Sequence, residues 1–109
     1  MSSPSEPADS FASFAMLGNS TIYLTMSWVD INGNPTDPDS GTQTLTIKDS
    51  HDNTIQSYTS GQLTRVSQGN YQYAYVTPVL SANDIYCAQW YASIGGYPDT
   101  RRFYFPILA

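Results

Sequence analysis

Cysteine, histidine and basic residues are all scarce in this sequence. Its 109 residues include one cysteine, Cys87, one histidine, His51, and four lysines and arginines together. A single cysteine excludes an intrachain disulfide, and its expected role is that of a small buried hydrophobic residue. A catalytic triad needs a nucleophile, a base and an acid that converge, and a zinc site needs several His or Cys ligands. The sequence therefore predicts no enzyme, no cofactor and no metal.

Charge of either sign is also sparse. Charged residues make up 12% of the chain, against roughly 25% in an average soluble domain, and the formal net charge is −5. A surface that binds phosphate needs clustered lysine and arginine, and anionic membranes make the same demand. We therefore expect neither nucleic acid nor a membrane among the partners.

Long apolar runs are missing as well. No stretch approaches the roughly 18 apolar residues of a membrane-spanning helix. The first ten residues, MSSPSEPADS, have neither the basic start nor the apolar core of a signal peptide. They are rich in serine, proline and acidic residues, which predicts disorder in isolation. We expect a protein that is made and left in the cytosol, and three routes out of the cell stay open: lysis, inclusion in a larger particle such as a virion, and excision as a domain of a secreted protein.

The feature that is present throughout is alternation of apolar and polar residues. In Thr21–Val29 the apolar side chains Ile22, Leu24, Met26 and Trp28 share one face, which predicts a strand with one buried side. Shorter runs of the same kind follow, separated by turn-forming residues, at 42–48, 54–59, 63–66, 71–77, 85–94 and 100–107. Seven or eight short strands without a helix predict an all-β sandwich or a small barrel.

The N-terminal part is predicted to stand apart from the sandwich. Residues 1–18 are expected to form a flexible arm and residues 19–109 the domain. Within the arm, FASFAMLG at 11–18 favours a short strand or an extended segment over a helical turn. Apolar residues near a flexible end can dock on a neighbouring subunit, so Phe11, Phe14 and Leu17 are the candidate anchors.

The loop at 30–41 is the strongest candidate for special chemistry. Asp30-x-Asn32-x-Asn34 begins like a calcium loop, but Pro35 and Gly41 stand where an EF-hand needs glycine and glutamate. Ordinary turn chemistry of Asn, Asp and Pro explains the loop best, and another calcium geometry stays open. His51 with its acidic neighbours lies in a second predicted turn.

Tyrosine is unusually frequent, with nine residues. We expect more of them than a small core can hold, so some should lie outside and form an interface or a platform for sugars. The alternative is the ordinary preference of tyrosine for sheet surfaces. Near the Gly95–Thr100 loop, Tyr97, Arg101 and Arg102 are the candidate surface-binding residues.

Several segments resemble an immunoglobulin-like or fibronectin-III-like β-sandwich module. In residues 20–58 an apolar strand runs into D-x-x-G-N-P and is followed by a T-x-T-x-T-I strand and an Asp-Asn turn. Residues 67–77 are similar to the G-x-Y-x-Y strand of such modules. Residues 84–90 resemble their G-x-Y-x-x-x-W strand, with Asp84 in place of the usual glycine.

The resemblance implies a sandwich of seven to eight antiparallel strands and a role in adhesion. Such modules occur in bacteriophage virion proteins, as capsid decorations, head fibres and tail-associated domains. The expected function is that of a non-enzymatic virion component that decorates or joins capsid or tail subunits, with other virion subunits or a second copy as partners. The alternative is an adhesin-type module that binds a carbohydrate or a host surface.

Overall fold

Nine strands in the described part of the chain form two sheets that pack against each other. The structure is a computed structural model, and it describes residues 9–11 and 15–109. The elements, in chain order, are β1 Asp9–Phe11, β2 Met16–Leu17, β3 Thr21–Ser27, β4 Thr44–Lys48, β5 Thr54–Thr59, a 3₁₀ turn at Ser60–Gln62, β6 Thr64–Ser67, β7 Asn70–Val76, β8 Asp84–Ile94 and β9 Tyr97–Leu108. The prediction of an all-β sandwich is confirmed.

The larger sheet, called sheet A here, has the strand order β1-β9-β8-β4-β5, and β2 also pairs with β9. The smaller sheet, sheet B, has the order β3-β7-β6. All pairs are antiparallel except those of β1 and β2, which run parallel to β9. The sandwich differs from the expected antiparallel arrangement at one place. Strands β1 and β2, which both lie in the predicted arm, pair in parallel with the edge of β9.

The core follows from the alternation in each strand. Leu24 comes from sheet B and Trp28 directly follows the end of β3. Trp90 and Phe105 come from sheet A, and all four residues are almost fully buried. The prediction that Trp28 belongs to the buried face of its segment is confirmed. The indole N–H of Trp28 donates to the side-chain oxygen of the buried Gln43 at 2.8 Å. This bond satisfies two polar groups that would be costly to bury alone.

Most tyrosines fill the interior rather than the surface. The rings of Tyr58 in sheet A and Tyr73 in sheet B stack with their centroids 4.1 Å apart, and Tyr75 and Tyr86 are buried. Burial raises the pKa of Tyr75 to about 12, because a phenolate would lose its hydration. Only three of the nine tyrosines, Tyr23, Tyr91 and Tyr97, are exposed. The surplus outside the core is thus smaller than expected.

Candidate interaction surfaces

One end of the sandwich is organised by two carboxylates in the loop that joins β3 to β4. Asp37 faces sheet B, where it accepts hydrogen bonds from Arg65 at 3.0 and 3.2 Å, from the Gly69 N–H at 2.8 Å and from the Tyr71 hydroxyl at 3.1 Å. Asp39 faces sheet A. The hairpin joining β8 to β9 turns at Gly95 and Gly96, and their N–H groups lie 3.1 and 2.8 Å from its carboxylate.

These contacts favour the ionised form of both side chains. The hydrogen bonds from Arg65 and from the Gly69 N–H lower the pKa of Asp37 from 3.8 to about 2. The N–H of Gly96, followed by the Ser93 hydroxyl, lowers the pKa of Asp39. Donors that bind a carboxylate hold its proton off, so both residues are anionic at neutral pH.

The same loop contains the turn contacts that its Asp and Asn residues favour. The carboxylate of Asp30 accepts the N–H groups of Asn32 and Asn34 at 2.9 and 3.0 Å. Asp37 and Asp39 bind the separate donors described above. Within residues 9–11 and 15–109, no three His, Cys, Asp or Glu side chains come together as metal ligands. The interpretation of the 30–41 loop as ordinary turn chemistry agrees with these contacts.

The lowered pKa of Asp37 gives a first prediction, which concerns the pH dependence of stability. Because its folded-state pKa lies below the ordinary value of 3.8, its contribution to stability is complete above that pH and disappears as the pH falls through about 2. We expect Asp37→Asn to lower the free energy of unfolding at neutral pH and to flatten the fall in stability at acid pH. Urea unfolding over a pH series measures both effects.

The control for this prediction is Asp52→Asn. Asp52 pairs with Lys48 at 3.2 Å, but its side chain is 84% exposed, so its ion pair should add little. If the free energy of unfolding falls equally steeply at acid pH in wild type and in Asp37→Asn, the role assigned to Asp37 is contradicted.

The hairpin joining β8 to β9 presents an exposed aromatic ring on a tight turn. Gly95 and Gly96 have φ values of +58° and +86°, as a two-residue type I′ turn requires. The hairpin turn is thus shorter than the predicted Gly95–Thr100 loop, because β9 already begins at Tyr97. Strand β4 pairs with β8 only as far as Tyr91, so the hairpin extends past it. The Tyr97 side chain is 79% exposed at this tip.

The structure does not bring the three candidate surface-binding residues together. Arg101 pairs across the sheet with Trp90 and Arg102 with Gln89, so the two arginines lie on opposite faces of β9. Arg101 forms an ion pair with Asp99 at 3.2 Å. Arg102 donates to the side-chain oxygen of Gln89 at 3.2 Å. Tyr97 shares the face of Arg101, about 13 Å farther along the strand.

A groove of about 370 Å³ crosses the outer face of sheet A. Lys48, Gln89, Arg102 and Tyr104 are among its lining residues, and the buried Cys87 lies at its base. Sequence reasoning missed this groove because its residues come from strands whose pairing is not encoded in local patterns. Its charged groups contact neighbouring protein groups, as in the Lys48–Asp52 and Arg102–Gln89 contacts.

At the opposite end of the sandwich, three exposed apolar residues lie at neighbouring backbone positions. We call Leu17, Val79 and Leu108 the apolar end; their exposed fractions are 62%, 79% and 38%. Leu17 and Leu108 are register partners in the β2–β9 pair. Gly18 lies directly against the backbone of Val79, since a Cβ on Gly18 would meet the Val79 Cα at 2.8 Å.

The backbone beneath the apolar end is tightly held. The buried Thr77 hydroxyl donates to the carbonyl of Leu17 at 2.7 Å and accepts the N–H of Ser20 at 3.0 Å. Of the predicted anchors, Leu17 is thus exposed on an ordered backbone. Phe11 belongs to β1 in register with Tyr104, and Phe14 lies outside the described residues.

Gly18 gives a second prediction. A Cβ at this position would lie 2.6 Å from the Pro78 carbonyl oxygen, and backbone atoms cannot move aside cheaply. We expect Gly18→Ala to lower the free energy of unfolding by about 1–3 kcal/mol. In the matched control, Gly61→Ala, the new methyl group meets nothing within 4 Å. Urea denaturation of both variants is the measurement, and equal stabilities would contradict the close packing at Gly18.

Comparisons of the chain with protein-family models, with curated proteins and with solved structures find no match. The immunoglobulin-like resemblance and its virion setting therefore stay predictions. Within the part of the chain that the structure describes, no helix has the length and apolar character needed to cross a membrane.

Proposed function

We propose that this protein is a non-enzymatic structural module that joins protein subunits, and that its setting is a bacteriophage virion. The observation that carries the proposal is the apolar end, where Leu17, Val79 and Leu108 expose apolar side chains from neighbouring backbone positions. Contiguous exposed apolar surface is a mark of an interaction site, whereas single exposed apolar residues are ordinary.

The apolar end is also suited to binding by its rigidity. The Thr77 hydroxyl fixes the Leu17 carbonyl, and Gly18 packs without a gap on the Pro78–Val79 backbone. A surface that is ordered before binding loses less conformational entropy when a partner covers it. We expect a second subunit to place its own apolar side chains here, with polar contacts around them.

The virion setting is supported by the resemblance to immunoglobulin-like phage modules rather than by the contacts themselves. In this setting the protein is made in the host cytoplasm and decorates or joins capsid or tail subunits. Its action is adhesion between surfaces of matching shape, which requires no catalytic group.

The test is coexpression of the tagged protein with the products of the genes on either side of its own. We expect wild type to copurify with one of these products as a defined complex. Leu17→Asp should weaken that complex by about tenfold or more, because a carboxylate would be buried against apolar groups. Val66→Asp is the matched control, since Val66 is 59% exposed on β6. Failure to form a complex, or equal weakening by both variants, would contradict the proposal.

A second candidate function is binding to a carbohydrate or a host surface, and Tyr97 is the observation that favours it. Its ring is exposed on a turn that Asp39 holds in place, and aromatic rings on ordered turns can stack against sugars. A glycan array with wild type and Tyr97→Ala tests this candidate. We expect the variant to lose about tenfold in affinity, whereas Tyr23→Ala, at a ring 66% exposed on β3, should bind as wild type. If wild type binds no glycan on the array, carbohydrate binding is excluded as a candidate function.

A further inference from the structure

Strand β3 forms an open edge of sheet B. It pairs with β7 over seven residues without a register shift, and no described residue pairs with its other side. The strand TIYLTMS has no charged residue and no proline. Proteins usually protect a regular edge strand with lysine, proline or a bulge, because free backbone groups invite another strand to pair. None of these protections is present on β3.

The hydrogen bonds at both ends of β3 show which backbone groups face this edge. The Trp28 N–H donates to the Gly69 carbonyl at 2.7 Å, and the Ser20 carbonyl accepts the Thr77 N–H at 2.9 Å. Bonded positions alternate along an antiparallel strand, so the even-numbered residues bond to β7. The N–H and C=O groups of the odd-numbered residues point to the open edge; they belong to Thr21, Tyr23, Thr25 and Ser27.

The outer face of sheet B carries no charge. Its residues on β3 and β7 are neutral, and they are Thr21, Tyr23, Thr25, Ser27, Asn70, Gln72, Ala74 and Val76. The one charged residue in the three strands is Arg65, which is paired with Asp37. The whole chain has a net charge of −5, so two copies repel each other in general. Sheet B is the side on which they can approach without opposing like charges.

We propose that β3 binds β3 of a second copy of this chain, antiparallel across a twofold axis, so that two three-stranded sheets become one of six strands. With the axis at Leu24, Tyr23 of each copy lies opposite Thr25 of the other, and Thr21 lies opposite Ser27. Each of these pairs then exchanges two backbone hydrogen bonds. Because the interface is the same on both copies, it closes at the dimer and leaves no β3 edge for further growth. This surface is distinct from the apolar end.

Sedimentation velocity over a concentration series from about 5 µM to about 500 µM tests the proposal. We expect wild type to dimerise with a dissociation constant on the order of 100 µM, since pairing of two short edges buries less than a standard interface. Thr25→Lys should weaken the dimer by about tenfold or more, because lysines on both edges repel and protect the strand. Thr64→Lys adds the same charge on β6, at the other edge of sheet B, and should dimerise as wild type.

Hydrogen exchange of the wild-type protein gives a readout that does not depend on any variant. At the highest concentration the amides of Tyr23 and Thr25 should exchange more slowly than in dilute solution, while the Leu24 amide should not change. A wild-type protein that stays monomeric throughout overturns the proposal, as does equal weakening by Thr25→Lys and Thr64→Lys. Neither result bears on the coexpression test, in which Leu17→Asp probes a different surface.

Discussion

The separation of Asp37 and Asp39 between the two sheets is the constraint on which one end of this sandwich depends. The two carboxylates are two residues apart, yet one accepts hydrogen bonds from the β6–β7 region and the other from the β8–β9 hairpin. Because the two carboxylates bind opposite sheets, the loop adds a hydrogen-bonded link between the sheets at this end, where no strand pairing joins them.

The donors in this arrangement explain the glycines around it. Gly69, Gly95 and Gly96 all have positive φ values, which residues with a Cβ adopt only with strain. A Cβ on Gly69 would also lie 2.7 Å from the Trp28 carbonyl oxygen. The turns thus expose N–H groups that point outward, and the aspartates satisfy them. The glycine turns and the loop aspartates therefore depend on each other. The turn at Gly95 and Gly96, which Asp39 binds, places Tyr97 at the exposed tip of the hairpin.

Local patterns predicted the strands well because alternation is a property of the strand itself. Thr21–Val29 was predicted as a strand with Leu24 and Trp28 inside, and β3 has this face buried. The same alternation already separates Arg101 from Arg102, so the grouping of these two residues as one surface was avoidable.

Contacts between distant parts of the chain were not predictable in this way. Arg65 and Asp37 are 28 positions apart, and no local pattern marks them as partners. The stack of Tyr58 on Tyr73 depends on how β5 lies over β7, which is why tyrosines expected outside fill the interior. The parallel pairing of β1 and β2 with β9 likewise depends on an edge that only the folded sheet creates.

The distribution of charge links the fold to association. In the described chain, every charged side chain except Arg65 lies on sheet A or in a loop, so the outer face of sheet B is neutral. Covering a charge with a partner requires removal of its hydration shell, which is costly unless an opposite charge replaces it. Covering threonine, serine and apolar groups costs much less, provided that backbone and hydroxyl groups find new hydrogen bonds. The neutral face of sheet B is therefore the surface on which binding meets the smallest opposing free energy.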